Sequence, residues 1–396
     1  MAAPLRVGIL GTARIAKKVR RGIVEGGNEI VAIASRDLGT AKAWASEAFE
    51  SGDLAIAPVA LGSYEELLLL GTIDTVYLPL PCSTHLEWVV KAARAGKNVV
   101  VEKPVALNVA ELKQMLDVCA GAGVFLVDGT MFHFHPRLPH FLLETERLGG
   151  VRSVSAAFSF CGDETFFRDN IRCKRALEPL GCLGDLGQYA IRIGLEVYQW
   201  QLPRAVSATA AFNDEGVPLH VAATFRYADG RVLCIECSFT GAFRQRVEVE
   251  GTTGVCRMDD FVIQRAPDVA SFVIESNPDL DLRHERVVGV ERKVLVFTDE
   301  PSFETLSSHK STGSEFVFAA TRTGASPVSQ ASPVSQEGFM WAAIRDPRAP
   351  LPRPHPDAPD AAAQWARRAL LTQVCLDAAM ESAEKDGASC LVQTAI

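Results

Sequence analysis

The rhythm of hydrophobic and polar positions changes near residue 130 and again near residue 305. In the first third, short apolar runs at 5–10, 29–35, 56–60, 73–78, 97–101 and 124–128 alternate with stretches of helical periodicity, among them 17–25, 37–50 and 84–95. Runs that are apolar throughout read as strands buried on both faces. The stretch at 84–95 opens on Ser83-Thr84-His85 and closes at Gly96, an N-cap and C′ pair. Strand–helix alternation of this kind predicts right-handed βαβ units and a parallel sheet.

After about residue 130 the periodicity becomes two. Apolar and polar residues alternate over 151–161, 205–211, 221–227, 231–239 and 245–250, and Tyr227-Ala228-Asp229-Gly230-Arg231 reads as a hairpin turn. These are half-exposed antiparallel strands of an open mixed sheet. One face can cover the first domain or pair with another subunit. The expected fold is therefore α/β: a Rossmann-type, doubly wound parallel sheet over 1–129, then an α+β domain with an open, mostly antiparallel sheet over 130–396.

Residues 305–360 break the pattern. The hexapeptide Ala325-Ser326-Pro327-Val328-Ser329-Gln330 is repeated at once as Ala331 to Gln336, and Arg348 to Asp360 is rich in proline. This composition predicts a flexible insertion of surface loops, partly disordered. The stretch 361–384 then reads as a final amphipathic helix, with Trp365, Ala369, Leu370, Val374 and Leu376 near one face.

At 396 residues the chain has ample core for two domains. Its net charge of -8 argues against nucleic acid and anionic membranes as partners. No apolar run approaches 18 residues and no signal peptide precedes residue 5, so cytoplasmic residence is expected, with an organelle left open. The ten cysteines are scattered without metal-ligand spacing, which fits free thiols in a reducing interior. Cys234 and Cys237 lie in a strand-like run and point to opposite faces, unlike a redox pair.

Two places carry candidate chemistry. The first strand runs into Gly11-Thr12-Ala13-Arg14-Ile15-Ala16, a partial match to the dinucleotide fingerprint G-x-G-x-x-G/A, with Ala13 at the second glycine. Small residues there let backbone approach a pyrophosphate on the helix N-terminus; an ordinary tight turn is the plain alternative. The second strand ends in Ser35-Arg36-Asp37, where a dinucleotide fold selects its ribose partner. Ser35 and Arg36 suit a 2′-phosphate and hence NADP over NAD, unless Arg36 is only a solvated charge. The second place is Glu102-Lys103-Pro104, at the end of the buried strand 97–101. A Lys at the carboxyl edge of such a sheet stands where cofactor and substrate meet.

With Gly181-Cys182-Leu183-Gly184-Asp185-Leu186-Gly187-Gln188-Tyr189, these motifs resemble the Gfo/Idh/MocA oxidoreductases, in order and in spacing. The resemblance runs from about residue 5 to 260 and returns weakly near 365–382. It is nearest a plant-type branch carrying Asp128-Gly129-Thr130-Met131, akin to the dihydrodiol dehydrogenase and glucose–fructose oxidoreductase branches. It implies that Lys103 and Tyr189 flank the reacting carbon, Tyr189 standing where many relatives have His. Tyr189 as a packed core residue is the alternative. Asp185, four residues earlier on the same helical face, either orients substrate or caps a helix. The resemblance also brings His85, after the Pro79-Leu80-Pro81 loop, toward the nicotinamide, or leaves it a plain first-turn residue. It makes the segment holding Arg168, Asp169, Asn170 and Arg172 a substrate cover, or a wet loop, with Arg172 the best candidate. His133 and His135, two apart on a supposed strand face, lack a third metal ligand, so His133 is read as packing near the substrate and no metal is expected.

The reading is an NADP-dependent dehydrogenase or reductase of a small polyhydroxylated molecule, a sugar or trans-dihydrodiol. Lys103, Tyr189 and Asp185 are its catalytic residues. Gly11, Thr12, Ala13, Arg14, Ile15, Ser35, Arg36, Pro79, His85, Glu102 and Lys103 hold the cofactor. Arg172, Asn170, His133 and Asp185 meet the substrate, and a homo-oligomer can form through the C-terminal sheet. A catalytically silent NADP(H)-binding or regulatory protein of the same fold is the alternative.

Overall fold

The computed structural model describes residues 3–265, 269–281, 286–297, 314–320, 336–345 and 360–392. Strands β1 (Arg6–Leu10), β2 (Glu29–Ala34), β3 (Val59–Leu61), β4 (Thr75–Leu78), β5 (Asn98–Val101) and β6 (Leu126–Asp128) form one sheet in the order β3-β2-β1-β4-β5-β6. Every neighbouring pair is parallel. This is the doubly wound Rossmann order, and its crevice opens beyond the carboxyl ends of β1 and β4, where the winding reverses.

The strand expected at 56–60 begins only at Val59. Pro58 has no N–H to give the ladder, and Ile56 before it is 79% exposed. Helices α1 (Arg14–Glu25), α2 (Leu38–Glu50), α3 (Tyr64–Leu68), α4 (His85–Arg94) and α5 (Val109–Ala122) cover the sheet. Asp37, Ser63 and Asn108 cap α2, α3 and α5 by accepting backbone N–H groups of their first turns.

Helix α6 (Arg137–Glu146) leads to the second sheet. Its strands are β7 (Ser153–Cys161), β8 (Ala205–Phe212), β9 (Pro218–Arg226), β10 (Val232–Ser238), β11 (Thr240–Glu250), β12 (Gly254–Met258), β13 (Val269–Asp281), β14 (Arg286–Phe297), β15 (Ser314–Ala320) and β16 (Cys390–Leu391). Their order is β15-β14-β13-β12-β11-β7-β10-β9-β8-β16. Only the β10–β7 and β14–β15 pairs are parallel, so the sheet is mixed and mostly antiparallel. Between β7 and β8 lie α7 (Glu164–Asp169) and α8 (Gln188–Val197). Helix α8 is buried along its whole length and packs on the inner face of the sheet through Ile191, Ile193 and Leu195.

Two expectations for the C-terminal part are corrected. The tandem hexapeptide, up to residue 335, and the proline-rich stretch, up to 359, lie outside the described residues. Within the supposed loop insertion, however, residues 314–320 form β15 and residues 336–344 form helix α9 (Gln336–Ile344). Met340, Trp341 and Ile344 of α9 join the core of the first sheet beside α1. Trp341 is fully buried, its ring edge-on to Tyr77 at 6.0 Å, and its carbonyl accepts from Asn28 Nδ2 at 3.1 Å. The apolar triplet Phe339-Met340-Trp341, two residues after the repeat, was the unread signal.

The second correction concerns α10 (Ala361–Glu384), which is wedged rather than amphipathic. Trp365 belongs to the core on one face of the Rossmann sheet, Ala369 and Leu370 to the core on the other, and Leu371, Val374, Cys375 and Leu376 to the core under the large sheet. A helix surrounded by other elements is apolar on most sides, which flattens its periodicity.

Replacing Trp341 by Ala should leave a large void in the nucleotide-domain core and cost about 3–5 kcal/mol. Denaturant unfolding of wild type and variant measures it. A loss below 1 kcal/mol would mean that α9 is not part of that core.

Candidate active site

The turn after β1 fits a dinucleotide. Gly11 sits at φ +111, a conformation that side chains rarely adopt, and a Cβ there would meet Leu80 Cδ2 at 2.9 Å. Its N–H donates to the Ala34 carbonyl at 2.9 Å, tying the turn to the end of β2. Ala13, the N-cap of α1, offers no side-chain cap, and the first helical turn holds no acid, so no side chain there competes with a phosphate for the turn's N–H groups. Thr12 and Ile15 are half-buried, whereas Ala13 and Arg14 are exposed. At the end of β2, Ser35 is buried and Arg36 is exposed. The Asp37 carboxylate is occupied: Oδ1 accepts from the Thr40 N–H at 2.8 Å and from its hydroxyl at 2.6 Å. The acid that would otherwise take a ribose hydroxyl is thus committed to capping α2.

Lys103 lies two residues beyond β5, joined to Pro104 by a cis peptide bond, and its side chain reaches the segment that precedes α8. Its Nζ lies 2.5 Å from Asp185 Oδ1 and donates to the Asp185 carbonyl at 2.9 Å. Asp185 was expected in an α-helical turn with Tyr189. Instead it lies in a π-turn, Leu183–Gly187, that runs into α8. π-Turns break the regular ladder and recur at functional sites. Gly184 makes the close approach possible, since a Cβ there would stand 3.1 Å from Pro104 Cγ.

Arg172 Nε reaches Asp185 Oδ2 at 2.9 Å, so the carboxylate is gripped from both sides. Burial pushes its pKa up, but the Lys103 and Arg172 cations more than offset this and hold it at about 2. The Tyr189 ring centroid is 5.2 Å from Lys103 Nζ, and the ring, 3% exposed, packs between Phe132 and Phe158. Lys103, Asp185, Arg172 and Tyr189 thus converge at the carboxyl edge of the Rossmann sheet.

Other expected site residues hold the frame instead. Glu102 is buried and accepts from the Tyr77 hydroxyl at 2.6 Å and from the Lys103 N–H at 3.3 Å, which fixes the strand end. Pro79 is buried in the loop after β4. His85 is 1% exposed, with Nδ1 3.0 Å from the Val105 carbonyl and Nε2 2.8 Å from the Leu80 carbonyl. Burial lowers its pKa, and the neutral ring donates to one of these two carbonyls, which ties it to the backbone around it. Asn170 Oδ1 accepts from the Arg172 N–H at 3.0 Å, so it shapes the turn that aims Arg172.

His133 is corrected most sharply. It lies in a 3₁₀ turn, not a strand, so the spacing to His135 puts no pair on one face. Its Nδ1 is 2.9 Å from Glu196 Oε1, deep in a polar cluster where Arg368 Nη1 approaches the same oxygen at 3.5 Å and Trp200 Nε1 donates to Oε2 at 3.1 Å. Burial and then Arg368 lower its pKa, while Glu196 pulls it back up. His135 faces Gln264 and the Arg137 N–H instead. Among the described residues no group of His, Cys, Asp and Glu is arranged to hold a metal. None of the ten cysteines forms a disulfide, and Cys234 is exposed while Cys237 is buried.

Sequence reasoning missed Glu178. Its Oε1 accepts from the Cys82 N–H at 2.9 Å, and burial, followed by Asp185, raises its pKa to about 7 against the pull of Lys103 and Arg172. The available signal was a lone acid within the apolar stretch Ala176 to Leu183.

A Rossmann sheet with a dinucleotide turn, whose Lys103 meets Asp185 and Tyr189 of the π-turn and α8 that lead on to the open sheet, defines a nucleotide-dependent oxidoreductase. Residues 5–130 match the model of the oxidoreductase family with an NAD-binding Rossmann fold, and residues 140–257 match the GFO/IDH/MocA C-terminal domain. The chain belongs to the Gfo/Idh/MocA oxidoreductase family. It is 36% identical over 249 residues to D-xylose 1-dehydrogenase (NADP(+)) 2 of Haloferax volcanii, covering 62% of this chain and 73% of that one. It is 30% identical over 261 residues to trans-1,2-dihydrobenzene-1,2-diol dehydrogenase of Sus scrofa, covering 65% and 74%. The fold is shared with a 3-ketoreductase from Actinomadura kijaniata solved with NADP and TDP-benzene, at a TM-score of 0.70, 22% identity and coverage of 96% and 98%. Among the described residues no helix is long and apolar enough to cross a membrane.

Asp185→Asn should lower stability at neutral pH by about 1.5–3 kcal/mol, the range for a hydrogen bond to a charged group. The full cost of a broken buried pair is not reached, because the Arg172 side chain is 41% exposed. The native pKa of Asp185 is lowered, so its contribution is present above about pH 4 and fades as pH falls toward 2. Melting temperatures of both proteins should therefore converge in acid. A gap that stays constant from pH 7 to pH 3 would contradict the ion-pair assignment.

Proposed function

We propose that this oxidoreductase uses NADP(H) and acts on the CH–OH or C=O group of a small polyhydroxylated molecule, a sugar or a trans-dihydrodiol. The observation that carries the reading is the position of Lys103 Nζ, in contact with Asp185 and 5.2 Å from the Tyr189 ring, at the mouth of the dinucleotide crevice. NADP(H), when bound, accepts or supplies the hydride. Lys103 polarises the substrate oxygen, and the Tyr189 hydroxyl takes or returns its proton. Asp185 orients the Lys103 ammonium. Arg172, aimed by Asn170, has N–H groups to spare for a neighbouring hydroxyl. The two curated relatives favour the substrate class, because pentoses and trans-dihydrodiols both present adjacent hydroxyl groups.

The preference for NADP rests on Ser35 and Arg36 at the end of β2 and on the commitment of Asp37 to α2. On this reading the chain divides near residue 130, with 1–129 the nucleotide domain and 130–396 the substrate domain, the latter lending α9 and part of α10 to the cores of the first sheet. The outer face of the large sheet carries small residues such as Ser155, Ala157, Ser207 and Thr224, a surface suited to a second copy of the chain. Ten cysteines without a disulfide favour a reducing compartment, the cytoplasm first.

Arg36→Ala removes a charge-assisted contact worth about 1.5–3 kcal/mol to a 2′-phosphate. NADP affinity should fall by one to two orders of magnitude while NAD affinity holds. Equal wild-type affinities for the two would reject the preference. Lys103→Met should cut turnover about 10²–10⁴-fold, the usual scale of acid–base participation, with NADP affinity changed far less. Retained turnover with a panel of sugars and diols would refute the catalytic role.

A further inference from the structure

The segment between residues 170 and 185 touches both sides of the site. At one end Arg172 grips Asp185. Midway, Glu178 Oε1 accepts from the Cys82 N–H at 2.9 Å, and the Leu177 carbonyl accepts from the Ser83 N–H at 3.2 Å. Cys82 opens the 3₁₀ turn Cys82–Thr84, which follows the Pro79-Leu80-Pro81 loop directly and leads into α4. That loop bounds the dinucleotide crevice, since Leu80 Cδ2 stands where a Cβ on Gly11 would point. The backbone beyond is braced too: Glu178 N–H donates to the Lys174 carbonyl, Gly181 to Glu178 and Gly184 to Leu180, each at 2.9–3.0 Å. A continuous hydrogen-bonded track therefore runs from the loop after β4 to the π-turn that carries Asp185.

We propose that Glu178 is a positioning residue of the active site: as a carboxylate it holds the Cys82 amide and fixes the loop after β4 against the Arg172–Asp185 side, and as a neutral acid it loosens that hold. The inference rests on reading Lys103, Asp185 and Tyr189 as the reacting set. An ionised acceptor bonds an N–H roughly twice as strongly as a neutral one, so the brace is strongest when Glu178 is charged. The groups that face Glu178 are Asp185, Lys103, Arg172 and the Cys82 thiol. Burial pushes the thiol far above its ordinary pKa, so it stays neutral. Of the groups that face Glu178, two are cations and one is an anion, and Glu102 stands behind Lys103 and Arg172; protonating Glu178 removes one negative charge from this set. Burial sets the native pKa at about 7, so the change falls at physiological pH.

Two measurements on wild type, Glu178→Gln, Glu178→Asp and Lys103→Met test the proposal. The first is the melting temperature of the protein without cofactor from pH 5 to pH 8. The native pKa of Glu178 is raised above the unfolded value of about 4.3, so wild type loses stability as pH rises through 7. Glu178→Gln lacks this loss, and its melting temperature should climb relative to wild type across that range. Parallel curves would overturn the titration. The second is the pH profile of kcat and KM. Wild type should show an ionisation near pH 7, Glu178→Gln should lose it with kcat/KM about tenfold lower above pH 7, and Glu178→Asp should bring an ionisation back at a pH displaced from that of wild type. A profile unchanged in Glu178→Gln, or an equal loss at every pH, would overturn the positioning role. If Glu178→Gln fails to fold, Glu178→Asp decides: a shifted limb supports the proposal and an unshifted one sinks it. Retained turnover in Lys103→Met would topple the catalytic reading alone, because the melting curves still judge Glu178.

Discussion

The site depends on one requirement, that the cation just beyond β5 finds an anion from the turn before α8. Lys103 leaves a strand whose residues 99–101 are fully buried, and its side chain is 12% exposed. An ammonium there is tolerable only if it is paired and hydrogen-bonded. Asp185 supplies both a carboxylate and a backbone carbonyl, the latter from a π-turn. The partners are 82 residues apart in the chain, so the contact that stabilises the lysine also assembles the site.

The same logic continues along the seam between the sheets. Asp128, at the end of β6, meets Arg192 of α8 at 2.9 Å with both side chains 4% exposed. Glu196, one turn further on α8, gathers His133, Arg368 and Trp200, and its pKa is about 2, with His133 and Arg368 outweighing burial. Buried pairs of this kind add little net stability, yet losing one partner is costly. They therefore favour one docking of α8 on the nucleotide domain. Tyr189 rides on α8 and inherits that placement. Helix α10 reinforces it, since Trp365, Leu370 and Leu371 lie in three different cores.

Much of the fold was legible because local chemistry matched global structure. Continuous apolar runs gave the parallel strands, period-two runs gave β7 to β11, and Gly11 marked a turn that only a residue tolerant of positive φ can make. Misreadings arose where a residue's role is set from outside its own segment. His133 in isolation suits a ligand or a substrate contact; only Glu196, 63 positions later, makes it a buried partner in a core polar cluster. His85 and Asn170 likewise needed the carbonyls and N–H groups they engage. Helix α9 was hidden by the repeat before it, and α10 looked amphipathic because its contact surfaces with three cores cannot be summed from one periodicity.

The sequence by itself determined the Rossmann class, the open second sheet, the family, and Lys103, Asp185 and Tyr189 as residues worth watching. Each of these follows from interactions within a few residues: strand period, turn conformation and motif spacing. The tertiary structure alone decided which charges meet. It gave Lys103 and Arg172 the same carboxylate, turned Asp37 toward α2, withdrew His85 and His133 from the site, and brought Glu178 into it. Burial and electrostatic pairing are sums over neighbours in space, and neighbours separated by tens of residues leave no trace in a local pattern.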